Sequence, residues 1–229
     1  INEDRYETTQ KLLQGVAKAT LHICDGLDWN LNISYQNEQY LYSNYHSSKS
    51  QIVDYASRNG QAERSTAENI KKQMETYINW DHTFNDAHKV GVMLGYSWEQ
   101  ADNNNGFGLI AYNFYNDALS YYNMALANSV SMDDISNINS GYLLSTLRMI
   151  SYYGRVNYSY KSKYLLQATL RRDGSSAFGV NNRWGTFPSV SASWRIIEED
   201  FMKEQDVFDD LKFRVGYGVS GNSLGFDAF

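Results

Sequence analysis

The chain has 229 residues, enough for one large β domain or two small ones, and 15% of them are aromatic. Its formal net charge of -6 argues against a nucleic-acid partner, because such a surface needs a basic patch. No window approaches the roughly 18 consecutive apolar residues of a transmembrane helix. The membrane itself is not excluded, since a barrel strand needs only about 9–11 residues of alternating character.

The stretch from Gln14 to Tyr35 alternates apolar and polar residues, turns once at Asp25-Gly26, and then alternates again. A period of two places one set of side chains on each face of a β-strand, and Asp-Gly between two such runs is typical of a hairpin. One face is therefore apolar and rich in Trp and Tyr, while the other is polar. This pattern fits a soluble sheet, and it also fits a membrane barrel with an apolar exterior and a wet interior.

The same alternation predicts eight strands, at 16–24, 27–36, 73–82, 89–99, 147–160, 164–172, 186–196 and 211–219. Pro188 is placed at the start of its strand because it cannot donate to a ladder. Short turns at 25–26, 83–88 and 161–163 alternate with long loops at 37–71, 101–145 and 174–184. Loops sorted by length and aromatic residues at strand ends are typical of an outer-membrane barrel with two aromatic girdles. Short helices are expected around 117–127 and 199–204.

The two longest loops are polar and rich in Tyr, Asn and Ser, and loops of this length in a compact fold are usually functional. Tyrosine rings can stack on sugar faces and also suit protein contacts. The candidate contact residues are Tyr40, Tyr42, Tyr45, Tyr112, Tyr115 and Tyr121.

Nothing in the sequence predicts a catalytic centre, a metal site or a resident cofactor. The four histidines are scattered without metal-ligand spacing. Asp102-Asn103-Asn104-Asn105-Gly106 evokes a calcium loop, but its glycine is one position too early for an EF-hand. An Asn-rich turn is the simpler interpretation, and calcium held irregularly by this loop stays open.

From Tyr152 onward the sequence becomes specific. The runs are GRVNYSYKSKYLL at 154–166, LRRDGSSAFG at 170–179, NRWGTFPSVSASWR at 182–195, EDFM at 199–202 and LKFRVGYGVSGN at 211–222. This pattern closely resembles the carboxyl-terminal β-barrel of the SusC/RagA-like TonB-dependent transporters of Bacteroidota. The specific match covers roughly 150–222, whereas the upstream half fits only by its layout.

The resemblance implies an outer-membrane barrel of about 22 strands around a plug, of which this chain supplies about eight. It further implies import of oligosaccharides or peptides, energy from TonB, and a SusD-like surface lipoprotein as a lid. Residues 1–229 are expected to be a partial barrel domain without the plug or the TonB box. The remaining partners would be the rest of the barrel, lipid and lipopolysaccharide.

One motif within the resemblance concentrates charge beside a predicted turn. Its residues are Arg171, Arg172, Asp173, Gly174, Ser175 and Ser176, followed by Arg183 and Trp184. Arg171 falls on the polar face, Asp173-Gly174 is expected to begin a turn, and the serine hydroxyls can bond the turn backbone. The motif contacts either substrate or plug, or it is a structural salt-bridged turn, which is the favoured interpretation.

Two alternatives stay open from the residues alone. One is a soluble β-sandwich carbohydrate-binding module of lectin-like character. The other is a self-contained eight-stranded membrane barrel, which would require pairing between the strands at 16–24 and 211–219. The favoured interpretation places the short turns in the periplasm and the long loops outside. It also points Trp29, Leu31, Ile33, Val92, Leu94, Val190 and Leu211 toward lipid.

Overall fold

The structure is a computed structural model, and it describes residues 4–55, 58–130 and 144–221. Its strands are β1 Arg5–Cys24, β2 Leu27–His46, β3 Gln61–Phe84, β4 His88–Asn103, β5 Phe107–Tyr112, β6 Ser129–Val130, β7 Ser145–Tyr160, β8 Tyr164–Ser175, β9 Trp184–Arg195 and β10 Lys212–Gly218. One short helix, α1, spans Gln51–Tyr55. Among the described residues, no helix is both long and apolar enough to cross a bilayer.

All ten strands join one sheet, in the order β1-β2-β3-β4-β7-β8-β9-β10, with β5 beside β3 and β6 beside β5. The ladders from β7 to β10 are antiparallel, as are those of β5 with β3 and β6. The all-β antiparallel prediction is confirmed. Within the described residues β1 and β10 are not neighbours, so the pairing required by a self-contained eight-stranded barrel is absent.

The chain divides into two compact units. The first unit comprises Ile1–Gly15, Tyr35–Lys71 and Ala101–Thr146, and the second comprises Val16–Ser34, Lys72–Gln100 and Leu147–Phe229. All eight predicted strands lie on observed strands, and the alternating segments that predicted them fall mostly in the second unit. Alternation predicts a strand where one face is apolar and the other polar, and that contrast is strongest in the second unit.

The predicted bounds of the loops were wrong, because several strands continue beyond the alternating segments. The predicted loop 37–71 contains the last part of β2 and the first part of β3. The predicted loop 101–145 contains β5, which pairs with β3 from Gln61↔Tyr112 to Thr66↔Phe107. The extensions of β2 and β3 carry polar residues on both faces, so a period of two cannot reveal them, and the six residues of β5 are too few to show a period.

The expected helices are shorter than predicted and have 3-10 geometry. The segment 117–127 forms two pieces, Asp117–Tyr122 and Met124–Leu126, and the Asn116 side chain accepts a hydrogen bond from the Ala118 amide. The segment 199–204 is replaced by Ile196–Glu198 and Asp200–Met202. A further 3-10 turn spans Val180–Asn182.

Pro188 lies inside β9, not at its start, where it pairs with Leu170 of β8. Its carbonyl accepts a hydrogen bond of 3.0 Å from the Val219 amide, so its polar edge faces the β10 side. The β10 ladder ends at Gly218↔Ser189. The missing N–H therefore falls where the ladder stops, and it costs little.

The first unit has its own small core of buried residues: Tyr45, Ala62, Ala111, Phe114 and Tyr121. The Tyr45 and Phe114 rings meet edge to face, with centroids 5.5 Å apart. Gly60 lies against this core with φ +82°, and a Cβ at that position would stand 2.7 Å from the Tyr45 hydroxyl. The polar segments of the first unit thus enclose packed aromatic residues instead of forming open loops.

Candidate functional site

The apolar face of the second unit is exposed to its surroundings along several strands. Leu94 on β4 is 57% exposed and Val215 on β10 is 58% exposed, and Leu166 and Val190 are similar. A soluble protein rarely leaves so many large apolar side chains uncovered on one contiguous face. The predicted lipid-facing residues Trp29, Leu31, Ile33, Val92, Leu94 and Val190 lie on strands, and Leu211 immediately precedes β10.

Aromatic residues form a belt at the short-turn end of the second unit. The Trp80 and His82 rings on β3 stack, and His82 meets Phe84 edge to face. Farther along the sheet, the Tyr164 ring stacks between Tyr160 and Trp194. Rings with one polar tip are the side chains that favour a membrane–water boundary.

A second belt lies at the opposite end of the same strands. Tyr152 of β7 contacts Tyr96 of β4 and stacks on Trp184 at the start of β9. Trp184 and Trp194 begin and nearly end the same strand, ten positions apart. At roughly 3.3 Å per residue and a tilt of about 40°, ten positions rise roughly 25 Å, the height of the apolar band in an outer-membrane barrel.

The opposite face carries a hydrogen-bonded polar network. The Tyr153 hydroxyl donates to the Glu75 carboxylate at 2.8 Å, and the same carboxylate accepts from the Asn32 amide at 3.2 Å. Arg171 donates from Nε to both Asp173 carboxylate oxygens, at 2.7 and 2.9 Å. These hydrogen bonds hold charged and hydroxyl groups in place on the face opposite to the apolar one.

The polar surface has a cavity, and a glycine beside it makes room for a large side chain. A cavity of about 370 Å³ lies against it, lined in part by Asn32, Glu75 and Arg171. Gly95 of β4 lies opposite Tyr153, where an added Cβ would stand 2.3 Å from the ring. A glycine at this strand position makes room for the ring that holds Glu75.

The charged motif divides between the two faces. Arg171 lies on the polar face, as predicted, and it also donates to the buried Ser151 hydroxyl at 2.9 Å. Arg172 lies over the Trp184 ring, with its guanidinium carbon 5.1 Å from the ring centroid. Neighbouring residues on a strand point to opposite faces, so the two arginines serve different surfaces.

Asp173 and Gly174 were wrongly expected to begin a turn, because β8 continues through both to Ser175. Asp173 pairs with Gly185 on β9 and Gly174 pairs with Trp184. The turn follows, and the two serine hydroxyls do bond backbone amides nearby. Ser175 accepts from Ala177 and Ser176 accepts from Arg148. The Arg183 Nε donates a hydrogen bond to the Phe178 carbonyl.

The structure separates the candidate tyrosines into a buried group and a second group in which Tyr40 is half-buried and Tyr42 and Tyr115 are exposed. Tyr40 and Tyr42 lie on β2 with stacked rings 5.8 Å apart, and Tyr115 is 81% exposed. Tyr45, Tyr112 and Tyr121 are buried in the first unit. A side chain that is 1% exposed, as Tyr45 is, serves packing and offers no surface to a ligand in this arrangement.

Asp117 anchors the segment between β2 and α1. Its carboxylate accepts hydrogen bonds from the Ser48 amide at 2.9 Å, the Ser48 hydroxyl at 2.8 Å and the Tyr45 hydroxyl at 2.8 Å. Burial of Asp117 opposes its charge, but these donors outweigh burial, so the pKa of the carboxyl lies below its ordinary value.

Asp4 anchors the same segment from its other side. Its carboxylate accepts from the Ser47 amide at 2.9 Å and from the Ser50 hydroxyl at 3.0 Å. Neither Asp4 nor Asp117 was singled out from the sequence, because a lone aspartate carries no signal until distant residues meet it. The same holds for Glu75 and Tyr153, although both lie on the predicted polar face.

The Asn-rich segment 102–106 is used by hydrogen bonds within the first unit. Asp102 accepts from the Thr146 hydroxyl at 2.7 Å, and Asn105 exchanges two backbone hydrogen bonds with Glu68. Within the described ranges, no group of three or more His, Cys, Asp or Glu side chains is placed to hold a metal ion.

Comparison with known proteins gives a consistent set of relatives. The chain is 31% identical over 208 residues to TonB-dependent receptor P39 of Formosa agariphila, covering 89% of this chain and 19% of that protein. It is 52% identical over 73 residues to TonB-dependent receptor SusC of Bacteroides thetaiotaomicron, covering 32% of this chain and 7% of SusC. The chain thus spans about a fifth of the length of P39.

Solved structures share the fold. The RagAB peptide importer in its closed-closed state matches with a TM-score of 0.83 at 18% identity, over 99% of this chain and 24% of that one. The RagAB peptide transporter gives a TM-score of 0.81 at 18% identity, over 96% and 23%.

A family model described as TonB dependent receptor-like, beta-barrel, matches residues 2–229. This match excludes the soluble lectin-like sandwich and confirms the resemblance to SusC-like proteins and the outer-membrane location. The two-faced sheet, its aromatic belts and its relatives agree: the chain belongs to the TonB-dependent receptor β-barrel family.

Proposed function

We propose that this chain is part of the barrel wall of an outer-membrane transporter that imports oligosaccharides or peptides. The observation that carries the proposal is the contrast between the two faces of the second unit. One face is apolar and bounded by two aromatic belts, and the other holds the network of Tyr153, Glu75 and Arg171. Such a wall separates lipid from a polar passage.

The energy source and the partner proteins of the transporter are proposed from its family membership. The transporter takes its energy from TonB through a plug, and it works with a SusD-like surface lipoprotein as a lid. The relatives named as TonB-dependent receptors and the fold of the RagAB peptide importer support this assignment. Membership in a transport family supports passage of the substrate without chemical change, and no resident cofactor or metal is proposed.

The contact residues proposed here are the three candidate tyrosines that the first unit does not bury. The stacked Tyr40 and Tyr42 rings form a flat platform, and Tyr115 projects from the segment after β5. Aromatic faces of this kind pack against sugar rings or apolar peptide side chains. Tyr45, Tyr112 and Tyr121 are buried and are assigned to the packing of the first unit instead.

The polar face is proposed to line the passage or to contact the plug. Arg171 is held by Asp173 and Ser151, so its guanidinium is fixed in place before any ligand arrives. Fixed donors reduce the entropy lost on binding. Beside it, Gly174 pairs with Trp184, and the side chains of Ser175, Ser176 and Arg183 bond the backbone around the following turn.

The test substitutes exposed rings and leaves the packed ones intact. Deleting 101–145 is unsuitable, because β5 pairs with β3 and Phe114 is part of the core. In the whole transporter, a Tyr40→Ala/Tyr42→Ala/Tyr115→Ala variant should assemble normally and lose uptake or lid co-purification several-fold. Phe107→Ala, at another exposed ring of the first unit, is the matched control. Normal uptake and normal lid binding in the triple variant would remove these rings from the function.

A further inference from the structure

The connection between β9 and β10, residues 196–210, exposes apolar side chains in an otherwise acidic segment. We call it the acidic link. Phe201 is 68% exposed, Val207 is 81% exposed and Phe208 is 52% exposed. Four exposed carboxylates lie in the same segment, those of Glu204, Asp206, Asp209 and Asp210. Contact of these two phenylalanines with an apolar surface would be favourable.

Hydrogen bonds from the Gln205 side chain hold Val207 and Phe208 in their exposed positions. The Gln205 side-chain oxygen accepts hydrogen bonds from the amides of Val207 and Phe208, both at 2.8 Å. Its amide nitrogen donates to the Phe208 carbonyl at 3.0 Å. Three bonds from one side chain close a turn and present the two apolar residues at its tip.

Glu199 ties the acidic link to the short-turn aromatic belt. Its carboxylate accepts from the Tyr164 hydroxyl at 2.6 Å, the Trp194 indole at 3.0 Å and the Lys163 ammonium at 3.2 Å. These three donors lower the pKa of Glu199, so it stays charged and bonded. The link is therefore continuous with rings that lie on the apolar face of the sheet.

The carboxylates nearest the belt are neutralised by cations of the same region. Arg195 pairs with Glu198 at 2.8 Å, and Lys203 pairs with Asp200 at 2.5 Å. Together with Lys163 and Glu199, they leave this part of the link without excess charge. A neutralised surface beside aromatic rings suits a lipid headgroup layer better than bulk water.

We propose that the acidic link is a membrane-interface anchor, with Phe201, Val207 and Phe208 inserted among phospholipid headgroups at the short-turn end of the barrel. Tyr164 and Trp194 mark the depth of that layer on the sheet, and the Glu199 bonds hold the link at the same level. The four exposed carboxylates remain on the aqueous side. The anchor rests on the lipid-facing surface and does not depend on what the transporter carries.

The test measures depth at single positions. The whole protein, with Cys24→Ser and other cysteines replaced, receives Phe201→Cys, Phe208→Cys or Asp25→Cys and an environment-sensitive dye. Asp25 is the matched control, because it is exposed in a short turn at the same end. In phosphatidylcholine vesicles, nitroxide on the lipid should quench dyes at 201 and 208 several-fold more than the dye at 25, and aqueous iodide should show the reverse order.

Two outcomes bear on the proposal in opposite directions. Lipid quenching at 201 and 208, with the quenching at 208 reduced in Gln205→Ala, supports a built anchor. Iodide quenching at 201 and 208 equal to that at 25, with no quenching by lipid nitroxide, overturns the anchor and leaves the link as a docking surface for a soluble partner. Normal heat-dependent mobility of each labelled protein on gels shows that the barrel has folded.

Discussion

At the scale of single residues, the polar face depends on Gly95, which has no side chain and so leaves room for the Tyr153 ring. Gly95→Ala would place a Cβ 2.3 Å from the Tyr153 ring and push the ring away from Glu75. Overpacking of this kind costs about 1–3 kcal/mol. Gly15→Ala is the control, since a Cβ there meets nothing within 4 Å. Thermal unfolding of the whole barrel should show a lower midpoint for Gly95→Ala alone, and equal midpoints would contradict the packing argument.

Asp117 predicts an acid-sensitive anchor in the first unit. Its pKa is lower in the folded chain than the ordinary value of 3.8, so it stabilises the segment fully above that value. The stabilisation should disappear as the pH falls from 3.8 through the lowered pKa. Hydrogen exchange at Ser48, corrected for the intrinsic pH dependence, should report the loss. Asp117→Asn should remove the step, and an identical step in that variant would assign it to another group.

The face of a residue was predictable, but its partners were not. Period two placed Arg171 on the polar side, and the same alternation accounts for Tyr153 and Glu75, because every second strand residue shares a face. The Tyr153–Glu75 bond joins residues 78 positions apart in sequence. Such a pairing depends on strand order and register, and no local pattern encodes either.

At the scale of elements, the two faces of β4 give opposite expectations for the same substitution. Arg at Val92, on the apolar face, should cost roughly 2–4 kcal/mol if that position is near the midplane of the bilayer. Arg at Met93, on the opposite face, should cost much less. Folding into lipid vesicles, measured at equilibrium in denaturant, compares the two variants directly. Similar losses at both positions would rule out the assignment of the faces.

Element prediction succeeded where the two faces of a strand contrast in polarity, and it failed where they do not. The run from Leu27 to Gln36 alternates and was predicted, whereas β2 continues to His46 without that contrast. β5 was missed for a different reason. Its sequence, FGLIAY, is too short to show a period, and it is specified by its ladder with β3.

At the scale of the whole molecule, the alternation of short and long connections predicts its orientation. Tyr115→Cys should react with a membrane-impermeant thiol reagent on intact cells, because this exposed residue lies on the long-loop side. Asp86→Cys, in the short turn after β3, should react only after the cells are opened. Ser47, which the long loop also contains, is buried and unsuitable for labelling. Reaction at position 86 before position 115 would invert the orientation.

Fold class and family were accessible from the sequence because strand repetition and the runs at 154–222 are both local. The division into two units was not. It depends on Asp4 and Asp117 reaching the segment 46–50, and on Phe114 and Tyr121 entering a core with Tyr45. These contacts join segments that are far apart in sequence and that read separately as polar loops.

The ten positions between Trp184 and Trp194 fix a length that the protein cannot readily change, because a hydrogen-bonded strand does not stretch. The bilayer deforms more easily than the strand. It must thin or thicken around the barrel, at a cost of fractions of a kcal/mol per Å of mismatch. Acyl chains of matching length should therefore accumulate around this wall. The spacing of two tryptophans acts as a gauge by which the protein selects its lipid neighbours and favours a thin membrane over a thick one.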